Sequence, residues 1–220
     1  MANVVVVGAN RGIGLELVRQ FQQRGDHVAS VCRKSTPALV EISSRVIEGI
    51  DITSVDSVAT LPARLGDDKI DLLVVAAGIL ERNGLDGIDF EGVERQLDVN
   101  AIGALRVATT LLSKLPKGSK IAFLTSRMGS IADNGSGGYY GYRMSKAALN
   151  AGARSLSIDL RPRGVSVTIL HPGFVRTDMT GGAGDLSAAE SAALLIQRMD
   201  ALTLATTGDF VHANGQALPW

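Results

Sequence analysis

Short apolar runs recur along the chain, with amphipathic stretches between them. The runs fall at 3–7 (Asn-Val-Val-Val-Val), 27–32, 45–48, 70–76, 120–125, 165–170 and 209–212. Most are β-branched and nearly continuous rather than alternating, which is the pattern of strands buried on both faces. Segments 12–24, 53–65, 90–114, 142–161 and 187–200 instead space their apolar residues at helical intervals. Strands alternating with helices predict right-handed crossovers and an α/β fold, a doubly wound, mostly parallel sheet of about seven strands. No Pro-rich linker, composition shift or internal repeat divides the sequence, so 1–220 is expected to form a single domain. The Gly/Ser-rich stretches 133–138 and 181–184 read as loops.

Composition narrows the function classes. A chain of 220 residues, 45% hydrophobic and 20% charged, can bury a large core. Its 22 basic and 22 acidic side chains cancel, which argues against nucleic acid as a partner. Cys32 is the sole cysteine, so no internal disulfide forms, and it reads as a small apolar strand residue. His27, His171 and His212 lack ligand-like spacing, and no metal site is expected. The N-terminus has no charged leader region, and no apolar run approaches the roughly 20 residues of a membrane span. A cytoplasmic protein is the expectation.

In a sheet of this kind ligands bind beyond the carboxyl ends of the strands. After the first run comes Gly8-Ala9-Asn10-Arg11-Gly12-Ile13-Gly14, leading straight into a helix. Gly8 allows the tight turn, Gly12 lets backbone approach a pyrophosphate, and Gly14 lets helix and strand pack closely. The helix start then offers free N–H groups and partial positive charge to phosphates. The second run ends Cys32-Arg33-Lys34 with no carboxylate to bind a ribose 2′-hydroxyl. Arg33, Lys34 and Arg11 could instead neutralise a 2′-phosphate, which favours NADP(H) over NAD(H); the alternative is ordinary surface charge. Farther along, Tyr142 and Lys146 stand four apart on one helical face. A neighbouring ammonium favours the phenolate and would bring a phenol nearer to useful acid–base chemistry. Such a pair occurs by chance in many helices; behind a nucleotide loop it gains meaning.

With Gly8, Gly12 and Gly14, the Asp51-Ile52 pair, Ala76-Ala77-Gly78, Asn100, Ser126, Tyr142-x-x-x-Lys146 and Pro172-Gly173 through Thr177, the chain resembles the short-chain dehydrogenase/reductases over essentially its whole length. Ser126-Arg-Met-Gly-Ser, Ser136-Gly-Gly-Tyr-Tyr and Leu218-Pro-Trp are similar to the sniffer-like and C-factor-like carbonyl reductases. The resemblance implies a Rossmann-type domain, a nicotinamide cofactor that carries the hydride, and a carbonyl or alcohol substrate. It gives Tyr142 the proton transfer and Lys146 the nicotinamide ribose and the tyrosine's pKa. Ser126 would hydrogen-bond the carbonyl oxygen, and Asn100 would orient a water continuing a relay to Lys146. Asn10 and Ile13 would join the phosphate loop, Asp51 and Ile52 would flank adenine, and Ala76, Ala77 and Gly78 would line the ribose side. Pro172, Gly173 and Val175 would shape the loop ahead of Thr177, which would meet the carboxamide. A short substrate-binding segment is expected around 174–200, with Met128, Met144, Phe174 and Met179 as candidate lining. Relatives pair helices like 90–114 and 142–161, so a homodimer or homotetramer is expected.

The sequence departs from that family's pattern in three places. Val7 stands where many relatives have threonine, and Val75-Ala76-Ala77-Gly78 lacks the usual asparagines. Ser126 precedes Tyr142 by sixteen residues rather than about thirteen, a gap that the glycine-rich 134–138 stretch can absorb. Thr125 and Ser130 compete with Ser126 for the carbonyl, Asn100 could simply cap or kink its helix, and Thr177 could be only a helix cap. A C-factor-like signalling or interaction protein that keeps the fold without turnover is the alternative function.

Overall fold

The computed structural model describes residues Met1–Trp220. Its strands and helices run β1 (Asn3–Val7), α1 (Gly12–Gln23), β2 (His27–Val31), α2 (Pro37–Ile42), β3 (Arg45–Ile47), α3 (Val55–Ala59), α4 (Leu61–Arg64) and β4 (Leu72–Val75). There follow α5 (Phe90–Leu97), a π-helical turn (Asp98–Gly103), α6 (Ala104–Thr110), β5 (Lys120–Leu124) and α7 (Tyr140–Leu160). The chain closes with β6 (Ser166–His171), β7 (Val175–Arg176), β8 (Leu186–Ser187), α8 (Ala188–Ala201) and β9 (Phe210–His212).

All seven apolar runs become strands of one sheet, ordered β3-β2-β1-β4-β5-β6-β9. Every neighbouring pair is parallel, so the sheet is wholly rather than mostly parallel. The strand order reverses between β1 and β4, which opens a crevice at their carboxyl ends. Alternate strand residues feed two cores. On one face Val5, Leu73, Phe123 and Ile169 pack beneath α3, α4, α6 and α7. On the other Val6, Val74, Ala122 and Leu170 pack beneath α1, α2 and α8. No helix is long and apolar enough to cross a membrane.

Two expected helices are broken. The 53–65 stretch divides at Thr60, just ahead of Pro62, whose ring nitrogen can donate no hydrogen bond. The 90–114 stretch is interrupted by the π turn and closes on a short 3-10 turn, Leu112–Lys114. The small parallel pair β7–β8 is an element that no sequence pattern announced.

Candidate active site

The glycine loop is shaped by close approach. Gly8 has φ +89°, and a Cβ there would lie 2.5 Å from the Ala77 nitrogen. A Cβ on Gly14 would overlap the Gly8 carbonyl oxygen, so the loop can turn onto α1 only with glycine at both places. Arg11, at the head of α1, supplies no side-chain cap, which leaves the first N–H groups of that helix facing the crevice.

The crevice is a cleft of about 400 Å³. Gly8, Asn10, Arg11, Gly12, Ile13 and Gly14 form its floor, and Arg33, Asp51 and Ile52 form one end. Ala76, Ala77 and Gly78 line the middle, and Tyr142, Lys146, Pro172 and Thr177 stand at the other end. Five expected residues, Lys34, Asn100, Ser126, Gly173 and Val175, do not line it. Lys34 is exposed beside Glu48, whose carboxyl is held low by hydrogen bonds from Ser35 and, less, by that ammonium. Val175 is buried in β7 against Leu186, and Gly173 (φ +91°) turns toward Leu186 and His212. Residues not foreseen join the wall, among them Ile50, Ile79, Val99 and Asp178. Their only sequence signal is adjacency to the motifs at the strand ends. Met179 lines the cleft, whereas Met144 and Phe174 are exposed beyond it and Met128 is half-buried.

An adenine-side carboxylate is present, with one of its two oxygens engaged. Asp51 accepts from the Thr53 N–H at 2.9 Å and the Thr53 hydroxyl at 2.7 Å. These bonds, with Arg33 and Arg106 nearby, hold its carboxyl below the usual range. Arg33 is exposed, and Arg11 reaches Asp178 at only 3.7 Å in an exposed pair. Both guanidiniums therefore remain open to an incoming anion.

The long α7 brings Tyr142 and Lys146 against the end of β5. The Lys146 ammonium donates to the Leu124 carbonyl at 3.0 Å and lies 5.8 Å from the Tyr142 ring centre. Burial lowers that lysine to about 8 and pushes the Tyr142 phenol up to about 12, with a hydrogen bond to Ser126 acting the other way. Lys146 does not depress the tyrosine in this arrangement, contrary to the expectation from spacing, because burial leaves the lysine neutral above about 8, before the phenol titrates. Ser126, at the end of β5, is the serine at the site. Ser130 is engaged elsewhere, donating to the Trp220 carbonyl at 3.2 Å and accepting from the Asp133 N–H. The longer gap to Tyr142 is absorbed by a stapled loop. Arg127 bonds Asp133 at 2.8 Å, while Arg143 donates to the Gly137 and Gly138 carbonyls and to Ser136.

Asn100 is fully buried in the π turn. Its amide clamps Ile79, accepting from the N–H at 2.8 Å and donating to the carbonyl at 2.9 Å, and donates again to Ser145 at 2.9 Å. Both amide hydrogens are thus committed to tying β4's loop to α7, and any water it orients must be held by its backbone. Thr177 heads a 3-10 turn, its N–H bonding Thr180, and its methyl lies nearest Gly12.

The cleft offers a glycine cradle with unspent N–H donors, two open guanidiniums and a buried Tyr–Lys pair. That donor set fits a nicotinamide dinucleotide.

Comparisons with known proteins agree with this fold. Residues 2–186 match the short chain dehydrogenase model. The chain is 38% identical to 1-hydroxy-2-glutathionyl-2-methyl-3-butene dehydrogenase of Rhodococcus sp. (strain AD45), over all of both chains. It is 42% identical to the C-signal protein of Myxococcus xanthus over 69% of this chain and 93% of that one. Among solved structures, carbonyl reductase Sniffer of D. melanogaster superposes with a TM-score of 0.93 at 30% identity, covering both chains entirely. A short-chain dehydrogenase/reductase from Burkholderia multivorans with bound NADP gives 0.89 at 30% identity, over 100% of this chain and 99% of that one.

Proposed function

The chain belongs to the short-chain dehydrogenase family, and on that premise we propose that it is an NADP(H)-dependent oxidoreductase interconverting a carbonyl compound and its alcohol. The observation that carries the reading is the pairing of Tyr142 and Lys146 at one end of the glycine-floored cleft, with Ser126 set against the Tyr142 phenol. Residues 1–220 act as one cofactor-binding unit, and the segment around 174–200 borders the substrate.

The nicotinamide cofactor supplies the hydride. Gly8 to Gly14 and the start of α1 hold its phosphates, while Arg33 and Arg11 meet the 2′-phosphate. Lys146 holds the ribose, and Thr177 with Pro172 bounds the nicotinamide end. Ser126 hydrogen-bonds the substrate oxygen, where charge develops, and Tyr142 gives or takes the proton there. Burial keeps Tyr142 protonated below about 12, so its resting state is the acid that carbonyl reduction requires. Apolar side chains exposed on α5, the π turn and α7, namely Phe90, Ile102 and Ile158, support a homodimer or homotetramer.

A second reading, a signalling or interaction protein without turnover, draws support from the identity with C-signal. The complete set of Asn100, Ser126, Tyr142 and Lys146 favours the enzyme. NADPH oxidation across a panel of ketones, aldehydes and quinones, by native protein and Tyr142→Phe, separates the two. The enzyme reading expects native turnover that falls at least ~100-fold in the variant, the scale of general acid catalysis, while NADPH binding persists. A native protein that binds no nicotinamide nucleotide and turns over nothing defeats it.

A further inference from the structure

A buried polar row lies directly behind Ser126. Phe123, Ile169 and Phe210 belong to the core beneath α7, so two residues on, at the carboxyl ends of β5, β6 and β9, Thr125, His171 and His212 face the same way. Above them Asn150 follows Tyr142 and Lys146 at two successive four-residue steps on α7. Asn150 Oδ1 accepts from the Thr125 hydroxyl at 2.6 Å. The His171 and His212 rings meet edge to face, with centres 4.9 Å apart. Asn150 and His171 are only 3% and 7% exposed, yet Asn150 Nδ2 and His171 Nδ1 are both buried without a partner. Apolar side chains would avoid the cost of such unsatisfied groups, so stability does not account for the row.

The row adjoins two loops that form the substrate end of the site. Thr125 precedes Ser126, and its N–H bonds the Leu170 carbonyl just ahead of His171. His171 leads into Pro172-Gly173, and the His212 ring lies 3.7 Å from where a Gly173 Cβ would stand. The charged and titratable groups facing His171 are His212 on β9 and Arg127 and Asp133 on the stapled loop. Burial, reinforced by His212 and Arg127, keeps His171 neutral down to about 3. It therefore serves as an uncharged spacer throughout the working pH range.

We propose that His171 is a positioning residue: with Thr125, Asn150 and His212 it holds Ser126 and the Pro172–Gly173 turn in register with Tyr142. This rests on the oxidoreductase reading above. Removing the imidazole lets the Ser126 turn relax from the phenol, which weakens the hydrogen bond that favours the Tyr142 phenolate.

The test compares His171→Leu and His171→Asn with native protein. In His171→Leu, kcat falls about tenfold, a fraction of what losing an oxyanion donor outright costs. NADPH affinity by fluorescence titration stays within about twofold, and the urea midpoint is unchanged or higher, since an apolar side chain removes an unpaired buried nitrogen. The Tyr142 phenolate titration, read near 295 nm against Tyr142→Phe, moves to higher pH. His171→Asn, which keeps a polar atom close to the backbone, recovers most of kcat. Should His171→Leu fail to fold, Asn150→Leu cuts the same row from α7 and carries the same expectations. An unchanged kcat and phenolate titration overturns the proposal, as does equal loss of NADPH binding and kcat in both variants. If native protein reduces no carbonyl, the oxidoreductase reading fails, while the phenolate titration still decides whether the row positions Ser126 against Tyr142.

Discussion

Lys146 shows what function costs at the level of one side chain. Its folded pKa, about 8, lies below the unfolded 10.5. Between those values the unfolded chain binds more protons, so this group makes stability rise with pH across that window. Below it, the folded chain bears the full penalty of a buried ammonium, about 3 kcal/mol at 1.36 kcal/mol per pKa unit. The bond to the Leu124 carbonyl offsets some of this. Lys146→Met should therefore stabilise the unliganded protein by about 1–3 kcal/mol at pH 7, raising its melting temperature by several degrees at ~2–4 °C per kcal/mol. Thermal melts of both proteins at pH 7 and pH 10 check this. The variant's advantage should shrink toward pH 10, and a variant that melts lower at pH 7 contradicts the buried-charge account. On the proposed function, carbonyl reduction should be lost in the same variant, because the ammonium that would hold the nicotinamide ribose is gone.

At the level of elements, the site depends on how closely α7 approaches the Ser126 turn. A Cβ on Gly129 would lie 2.7 Å from the Lys146 carbonyl carbon and 2.9 Å from its Cβ. Gly129→Ala must push helix and turn apart, at a cost of about 1–3 kcal/mol for overpacking. A misplacement approaching 1 Å lowers kcat by up to about 100-fold. Urea unfolding and single-turnover kinetics measure the two effects, and a fully active variant would show that this spacing is not limiting. The motif around Ser126 includes Gly129, but its spacing does not show why glycine is required, since the constraint comes from Lys146, seventeen residues on. The same contrast runs through the fold. Each β-branched run was legible as a strand because burial on both faces leaves an unbroken apolar signature. The break at Asp98–Gly103 was legible only as the alternative of a kink at Asn100, because its setting is tertiary: Asn100 clamps Ile79, and Gly103 has no room for a Cβ beside Ile52. The helix α2 was also missed, although Thr36 caps it and Pro37 opens it, because six residues give too short a period to read. Gly8 to Gly14, Ser126, Tyr142 and Lys146 were legible because motif and strand end coincide. Thr125 and Asn150, polar but buried, carried no pattern of their own.

Charge at the scale of the whole molecule makes cofactor choice a local matter. With 22 basic and 22 acidic side chains there is no net field to draw in a polyanion, so affinity must arise at the cleft. At the ribose end Arg33 and Asp51 both line the wall, and Asp51 has one carboxylate oxygen committed to Thr53. A 2′-phosphate is thus expected to gain an exposed guanidinium that also offsets the nearby Asp51 charge. Cofactor at 100 times its Kd should stabilise the folded chain by about 2.7 kcal/mol. For a protein of this size that is a rise of roughly 5–10 °C in melting temperature. Arg33→Ala should remove most of the shift given by NADPH and leave that given by NADH nearly unchanged, since only the former has the extra phosphate. The NADPH preference should also weaken as salt rises from 0.05 to 0.5 M, because an exposed pair is screened once the Debye length falls from above 10 Å toward about 4 Å. Thermal shift titrations with both nucleotides, at two salt concentrations and in both proteins, test these points together. Equal losses for NADH and NADPH in Arg33→Ala would mean that Arg33 supports the cleft wall rather than reading the phosphate, and the NADP(H) assignment would then fall.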